Sequence, residues 1–477
     1  MQLFFSLGTG ALGEAPTAAP DTIIEPTLSN DAAPYDSSHP ESLAQDQLYA
    51  MSALLVEADT GLSIFEKNAD TVMYPASTTK ILTVLLGIMM VDDLNQMVTV
   101  SRTAVDIPAD SSTMGLEEGE EIRYIDVLYG TMMRSANEGA NVIAETVSGS
   151  IPAFIDLMNK TATEVFGCSN THFVNAHGYH DDNHYTTARD LAIIAREAMK
   201  NETFRQIVAA TSYEIPRTNV HRAKSITTRS ILLLPGSEEK PNKYYYSYAN
   251  GIKTGSHMKA GYCFVGSAMK DNVNLISVLL YTSNRGRWTD TIKLMNYGFS
   301  QYISVTPAEM YAMNPIVVET SNYSLKDGHM GKLELTCIPS SGNVSITATK
   351  DEVEQMAKNI RSTAWIQFTR DFQAPITQGE VMGTMTYFYG GGKQAEYQLV
   401  ASRSIGKREN APKTLAEIVA ETEADPNILP PITVELVMYA LSPFIVVFIL
   451  VRLLMKMRRT RQGKVPKPPK QTRRWFF

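Results

Sequence analysis

The chain has 477 residues, more than one hydrophobic core usually serves, so two folded domains with appendages are expected. A composition that is 44% hydrophobic and 19% charged excludes a collagen-like fibre and a wholly disordered chain. The formal charge of −7 is split: residues 452–477 carry ten Lys and Arg and no Asp or Glu, which leaves −17 on the rest, so a basic tail and an acidic body face different surroundings.

Met1 to Ala15 reads as the end of a secretory signal, with small residues and a short apolar part but no basic start, which suggests a start site placed too late. Residues 16 to about 45, rich in Ala, Pro, Asp and Ser, read as an unstructured spacer. From Ala50 the pattern changes, and Ser52 to Lys67 predicts two strands around an Asp59-Thr60-Gly61 turn. Tyr74-Pro75-Ala76-Ser77-Thr78-Thr79-Lys80 then leads into Ile81 to Met90, a run that is apolar apart from Thr83 and Gly87. Pro75 suits a first helical turn, so a buried helix is expected to begin near Ser77, with Ser77 Oγ and Lys80 Nζ three residues apart on one face. Burial there lowers the lysine pKa toward a neutral amine, and the helix dipole favours a developing alkoxide: a nucleophile with its own base. The plainer alternative is an N-cap serine above a core helix.

Leu94 to Val105 suggests short strands, and Ile122 to Met133 an amphipathic helix ending at Arg134-Ser135-Ala136-Asn137. Further helices are expected from Asn137, over Ile151 to Phe166, and over Ala188 to Lys200. Between the last two, Thr171 to Asp190 holds four of the eight histidines, and a metal site from His172, His177, His180 and His184 is conceivable. Its Gly, Asn and Asp content reads better as a structured loop leading into a helix capped by Thr187. Ala249 to Gly255, Gly261 to Ala268 and Asn274 to Leu280 are three strands, and Trp288 to Phe299 a closing helix. A second Ser-x-x-Lys, Ser267 to Lys270, falls on the middle strand, where positions three apart face opposite ways and make no pair. Strands at both ends of this segment with helices between imply an α/β (α+β) domain, one antiparallel sheet covered by helices.

Residues 305–405 are β-rich and read as a small β-sandwich, with a Gly390-Gly-Gly392 turn, and 406–432 as a polar linker. Residues 433–455 hold an uncharged span from Leu436 to Val451 and as a helix would cover about 34 Å, enough for a hydrocarbon core of about 30 Å. Ten cations follow Val451, nine of them in 456–477, so 456–477 is expected to be a cytoplasmic tail, with everything before residue 433 outside. Cys168, Cys263 and Cys337 give no disulfide framework and no zinc spacing; free thiols, or at most one bridge, are expected.

Ser77-Thr-Thr-Lys80, Ser135-Ala-Asn137 and Lys253-Thr254-Gly255 occur in that order, with Arg134 to Glu138, the Asn175…His177-Gly178…His184-Tyr-Thr-Thr-Ala188…Asp190 loop and Ala260-Gly261-Tyr262 around them. This set resembles the serine D-alanyl-D-alanine carboxypeptidases of peptidase family S11, low-molecular-mass penicillin-binding proteins related to β-lactamases. The resemblance covers roughly residues 45–405 and implies a β-lactamase/transpeptidase-like catalytic domain over 46–304, a β-rich domain and a membrane anchor. By it, Ser77 attacks the carbonyl between two terminal D-alanines of a peptidoglycan stem peptide and neutral Lys80 takes its proton. Ser135 relays that proton to the leaving group, and Asn137 positions the substrate backbone. The N–H groups of Ser77 and Ser256 form an oxyanion hole, and Lys253 and Thr254, on the strand that Gly255 lets approach closely, receive the substrate carboxylate. Arg287 is the expected guanidinium for that carboxylate, with Arg285 as the fallback and a solvated surface arginine as the plain alternative. No metal, cofactor or nucleic acid is implied, and β-lactam antibiotics are implied as covalent inhibitors. Two other readings compete: a secreted β-lactamase, for which Glu197…Asn201 has a similar spacing, and a catalytically silent wall-binding scaffold.

Overall fold

The computed structural model describes residues 32–340, 344–389, 393–409, 414–424, 441–443 and 446–455. Ser52–Glu57 (β1) is buried at all six positions, because its alternate side chains enter two different cores. Beside it run Ser63–Lys67 (β2) and, from much later in the chain, Ala249–His257 (β3), Gly261–Lys270 (β4) and Val273–Thr282 (β5). The order β2-β1-β5-β4-β3 is antiparallel throughout, as expected, with β3 at one edge. On one face Leu54, Val56, Val265, Ile276 and Val278 meet the helices between β2 and β3. On the other, Ala53, Leu55, Leu275 and Leu279 meet Leu294 and Met295 of the closing helix, Gly286–Gln301.

At the centre of the helical layer is Lys80–Met90 (α1), with nine of its eleven residues buried. The helices Tyr124–Met133, Asn137–Ser148 and Ala188–Lys200 pack around it. The last keeps the predicted bounds because Thr187 caps it, accepting from the Asp190 N–H. Leu94 to Val105 departs from expectation: Met97–Thr99 is a strand, but Ser101 caps a helical turn over Arg102–Val105.

The chain divides into two compact units, one comprising the residues up to Asn314 with Pro339–Trp365 and Thr386–Tyr397, the other Pro315–Ile338, Ile366–Met385 and the residues from Gln398. The β-sandwich reading of 305–405 needs correction. The region holds one five-stranded sheet (Val317–Glu319, Lys332–Pro339, Lys393–Ala401, Val381–Tyr389, Trp365–Phe368 in spatial order) and a separate pair, Tyr302–Val305 with Ile346–Thr349. It also has two helices, Pro307–Met313 and Lys350–Thr363, each opened by a capping box. A second correction concerns the spacer, of which residues 32–45 are anchored at two points: Leu43 is 7% exposed within the core that includes Leu294 and Met295 of the closing helix, and the partly buried Tyr35 packs against that core.

The signal remnant, the Gly390–Gly392 turn and the basic tail lie outside the described residues, as does most of the first half of 433–455. Residues 441–443 and 446–455 are helical, with Val446 to Val451 and Leu453 to Met455 all exposed. Among the described residues no helix is long and apolar enough to cross a membrane.

Tight packing of α1 is testable at Gly87, where a Cβ would come within 2.6 Å of Tyr124 Oη and 2.8 Å of Ile143 Cγ2. Alanine is favoured over glycine in a helix by about 1 kcal/mol, yet Gly87→Ala should destabilise the protein by about 1–3 kcal/mol through overpacking. Denaturant unfolding measures it, and a stabilised variant would show that α1 is less closely held.

Candidate active site

Ala76–Thr79 forms a 3-10 turn that passes into α1 at Lys80, so the expected helix start is present in a tighter form. Ala76 has a left-handed φ of 49°, and the hydroxyls of Thr78 and Thr79 donate back to Pro75 O (2.7 Å) and Ala76 O (2.9 Å). Lys80 Nζ, fully buried, lies 3.0 Å from Ser77 Oγ, 2.7 Å from Asn137 Oδ1 and 2.6 Å from His177 O. Burial drives its pKa well below the usual lysine value; nearby Glu138 opposes this and Arg229 reinforces it. As an amine, Lys80 has two hydrogens for the two carbonyl-type oxygens, and its lone pair then faces the Ser77 hydroxyl.

Ser135 stands between the helices Tyr124–Met133 and Asn137–Ser148 with φ 63°, another left-handed non-glycine position. Its Oγ accepts from Lys253 Nζ (3.0 Å), which also donates to Thr254 O (2.9 Å). Lys253 is buried, and desolvation first, then Lys80, Arg229 and Arg287, hold its pKa well down. Asn137 donates to Ser111 Oγ (3.0 Å) while accepting from Lys80. Glu138 Oε1 accepts from Thr113 Oγ1 and the Met114 and Gly115 N–H groups, tying down the neighbouring loop.

The sheet supplies its edge. A Cβ on Gly255 would lie 3.0 Å from Pro75 O and 3.2 Å from Ser77 N, so any side chain there would crowd the backbone of the Ser77 turn, and glycine lets β3 come this close without displacing it. Thr254 is half-buried beside it and Ser256 exposed. The histidine-rich segment supplies the opposite wall. Asn175 Oδ1 accepts from the Gly178 N–H (2.7 Å) and its amide donates to Tyr179 O, which fixes the His177 carbonyl that holds Lys80. The resulting cavity of about 520 Å³ is lined by Ser77, Asn137, Ser256, Tyr179, His180 and His257, among others, with the two imidazoles stacked at 5.0 Å.

Ser77, Lys80, Ser135, Asn137, Lys253, Gly255 and Ser256 therefore converge. Arg287 is half-buried, its guanidinium over the rings of Tyr262 (4.9 Å) and Trp288 (4.4 Å) and one Nη donating to Asn284. Its Nε has no partner among the described residues, and burial pulls its pKa down to about 10. Arg285 is exposed at the start of the closing helix. Sequence reasoning missed Arg229, which donates to Ser112 Oγ (2.8 Å) and bears electrostatically on Lys80, Lys253 and Arg287; it sits in a polar stretch without a motif of its own.

The other candidates are engaged elsewhere. Ser267 Oγ donates to Asn250 Oδ1 (2.5 Å), while the Lys270 ammonium lies over the Tyr248 ring. Glu197 accepts from Lys200 on its own helix. His177 and His184 are buried and pushed to about 3 by desolvation, His172 Nδ1 lies 2.7 Å from Asn183 O, and no group of three or more His, Cys, Asp or Glu among the described residues could hold a metal ion. All three cysteines are buried free thiols.

The model of the D-alanyl-D-alanine carboxypeptidase family, peptidase S11, matches residues 39–284. D-alanyl-D-alanine carboxypeptidase DacF of Bacillus subtilis is 31% identical over 366 residues, 75% of this chain and 86% of that one. D-alanyl-D-alanine carboxypeptidase DacC of Escherichia coli is 28% identical over 375 residues, 75% and 84% of the two chains. Penicillin binding protein 5 of Haemophilus influenzae superposes with a TM-score of 0.51 at 26% identity, covering 77% of this chain and 100% of that one.

The electrostatics carry a prediction for Arg229→Gln. Removing a positive neighbour favours the charged forms, so isotope-labelled lysine NMR should show the pKa values of Lys80 and Lys253 both rise. Unchanged values would mean that the Arg229 charge does not reach the pair.

Proposed function

Since the chain belongs to the peptidase S11 family of D-alanyl-D-alanine carboxypeptidases and is a serine-type hydrolase, we propose that it removes the terminal D-alanine of peptidoglycan stem peptides through an acyl-enzyme on Ser77. The observation that carries this reading is Lys80 Nζ, sealed from water 3.0 Å from Ser77 Oγ and within hydrogen-bond distance of two further oxygens, Asn137 Oδ1 and His177 O. In the proposed cycle Ser77 Oγ attacks the carbonyl of the penultimate residue as its proton passes to Lys80. The N–H groups of Ser77 and Ser256 receive the oxyanion. Lys80 gives that proton up through Ser135, which is joined to Lys253, to the departing D-alanine amine, and Asn137 aligns the peptide. Water then attacks the ester, Lys80 accepts its proton and hands it to Ser77 Oγ as the ester bond breaks, which restores the hydroxyl and the neutral amine. A β-lactam follows the same first step, but its opened ring keeps the leaving nitrogen attached, so the ester persists.

Lys253, Thr254 and Arg287 are proposed to hold the substrate carboxylate. The under-neutralised guanidinium of Arg287 supports this, since a half-buried cation whose buried Nε–H has no partner among the described residues suits an incoming anion. We take 46–304 as the catalytic domain, 305–405 as the part that carries it, and 433–455 as the tether that keeps it on the extracytoplasmic face of the membrane. The exposed apolar side chains of 446–455 and the cations after them support the tether.

Ser77→Ala should abolish both D-alanine release and covalent labelling by a fluorescent penicillin, whereas Ser267→Ala should do neither; labelling that survives in the Ser77 variant contradicts the assignment. Arg287→Ala should lower kcat/KM on peptides with a free C-terminus by about 1.5–3 kcal/mol of lost charged hydrogen bonding. C-terminally amidated peptides should barely respond, and equal losses on both would mean that Arg287 holds structure instead. A chain truncated near Asn410 should stay in the aqueous phase and still turn over a soluble peptide. If it folds but loses turnover, the membrane segment does more than tether.

A further inference from the structure

His184 is outside the cavity yet joined to the nucleophile's turn by a one-way chain of hydrogen bonds. The Val174 N–H points at His184 Nδ1 (3.2 Å), and a backbone N–H can only donate, so Nδ1 must carry a lone pair. A neutral imidazole then bears its hydrogen on Nε2, which is 2.8 Å from Thr79 Oγ1. With that oxygen accepting, the Thr79 hydroxyl donates onward to Ala76 O at 2.9 Å. His184 is 2% exposed and Thr79 1%, so water does not compete for any of these groups.

The end of the chain matters because of what shares a peptide with Ala76 O. The Ala76 carbonyl and the Ser77 N–H belong to one trans, planar unit, and the two bonds point in opposite directions. Whatever anchors the oxygen aims the N–H. Left alone, the turn would not hold this orientation cheaply, since Ala76 is a non-glycine residue at φ 49°. The histidine loop also closes on the same oxygen from the side: a Cβ on Gly178 would come within 1.9 Å of it.

We infer that His184, as its Nε2-protonated tautomer, is a positioning residue that acts through Thr79 and the Ala76 carbonyl to aim the Ser77 N–H at the oxyanion. Desolvation, with smaller contributions from His172, Lys80 and His180, pushes the His184 pKa to about 3, so this tautomer persists across the working pH range. The inference rests on Ser77 being the acylated residue. Adduct mapping by mass spectrometry on the unsubstituted protein tests that premise separately: if penicillin is not found on Ser77, the functional reading fails before the relay is tested.

Asparagine and glutamine divide the two ends of the imidazole. Asn keeps an acceptor near the Nδ1 position for Val174 and loses the donor to Thr79, whereas Gln keeps a donor near Nε2 and loses the acceptor. The experiment measures the acylation rate constant and the pre-covalent dissociation constant for a penicillin. His184→Asn and Thr79→Val should each lower the rate constant by about 10- to 100-fold, less than outright loss of an oxyanion donor, with little change in the dissociation constant. His184→Gln and Thr79→Ser should recover most of the rate. The His184→Asn/Thr79→Val double variant should be no slower than the slower single, because both cut one chain. Equal losses for Asn and Gln, losses mainly in the dissociation constant, or independent losses that multiply in the double variant would each overturn the relay.

Discussion

A lysine sealed from water is the constraint on which the rest of this site depends. Holding an ammonium in the interior costs several kcal/mol unless an anion stands against it. The carboxylate that bears on Lys80 is Glu138, whose Oε1 is already committed to the Thr113 hydroxyl and two backbone N–H groups, and Arg229 adds positive charge. Deprotonation relieves this cost and leaves a lone pair aimed at Ser77 Oγ. The neighbouring elements serve that arrangement. Asn137 and the His177 carbonyl take the two amine hydrogens, α1 buries the stem, and Gly255 lets the sheet edge close against the turn.

Much of this was legible because it is local. Ser77 and Lys80 are three apart ahead of an apolar run, and a 3-10 start and an α-helical start both put them on one face, so the pairing did not depend on which one formed. The second Ser-x-x-Lys was rightly set aside, because strand periodicity separates Ser267 from Lys270 whatever the tertiary structure does. The left-handed Ser135 was not legible: a positive φ at a non-glycine residue follows from the surroundings. Nor was Arg229, whose importance comes from the charges near it in space and not from its neighbours in sequence. His184 was readable as part of a pattern, but its hydrogen-bond direction required the positions of Val174 and Thr79.

The fold shows the same division. The antiparallel sheet followed from strands at both ends of a helical segment, and Ala188–Lys200 kept its predicted bounds because apolar period and cap agree. Lys350–Thr363 escaped notice although Thr349 and Glu352 form a capping box, since it buries only Val353, Ala357 and Ile360 and its polar remainder blended into a β-rich background. Residues 32–45 looked like spacer because their contribution is a few anchors, Tyr35 and Leu43, spread through Pro, Asp and Ser. Sparse anchors give no periodic signal, and only the surface they settle on makes them structural.

Neutron diffraction from crystals grown near neutral pH, after deuterium exchange, tests the central claim most directly by locating the hydrogens of the Ser77–Lys80 pair. The account predicts two deuterons on Lys80 Nζ, directed at Asn137 Oδ1 and His177 O, and one on Ser77 Oγ lying along the 3.0 Å line to the lysine nitrogen. Three deuterons on Nζ, with Ser77 accepting one of them, would contradict it.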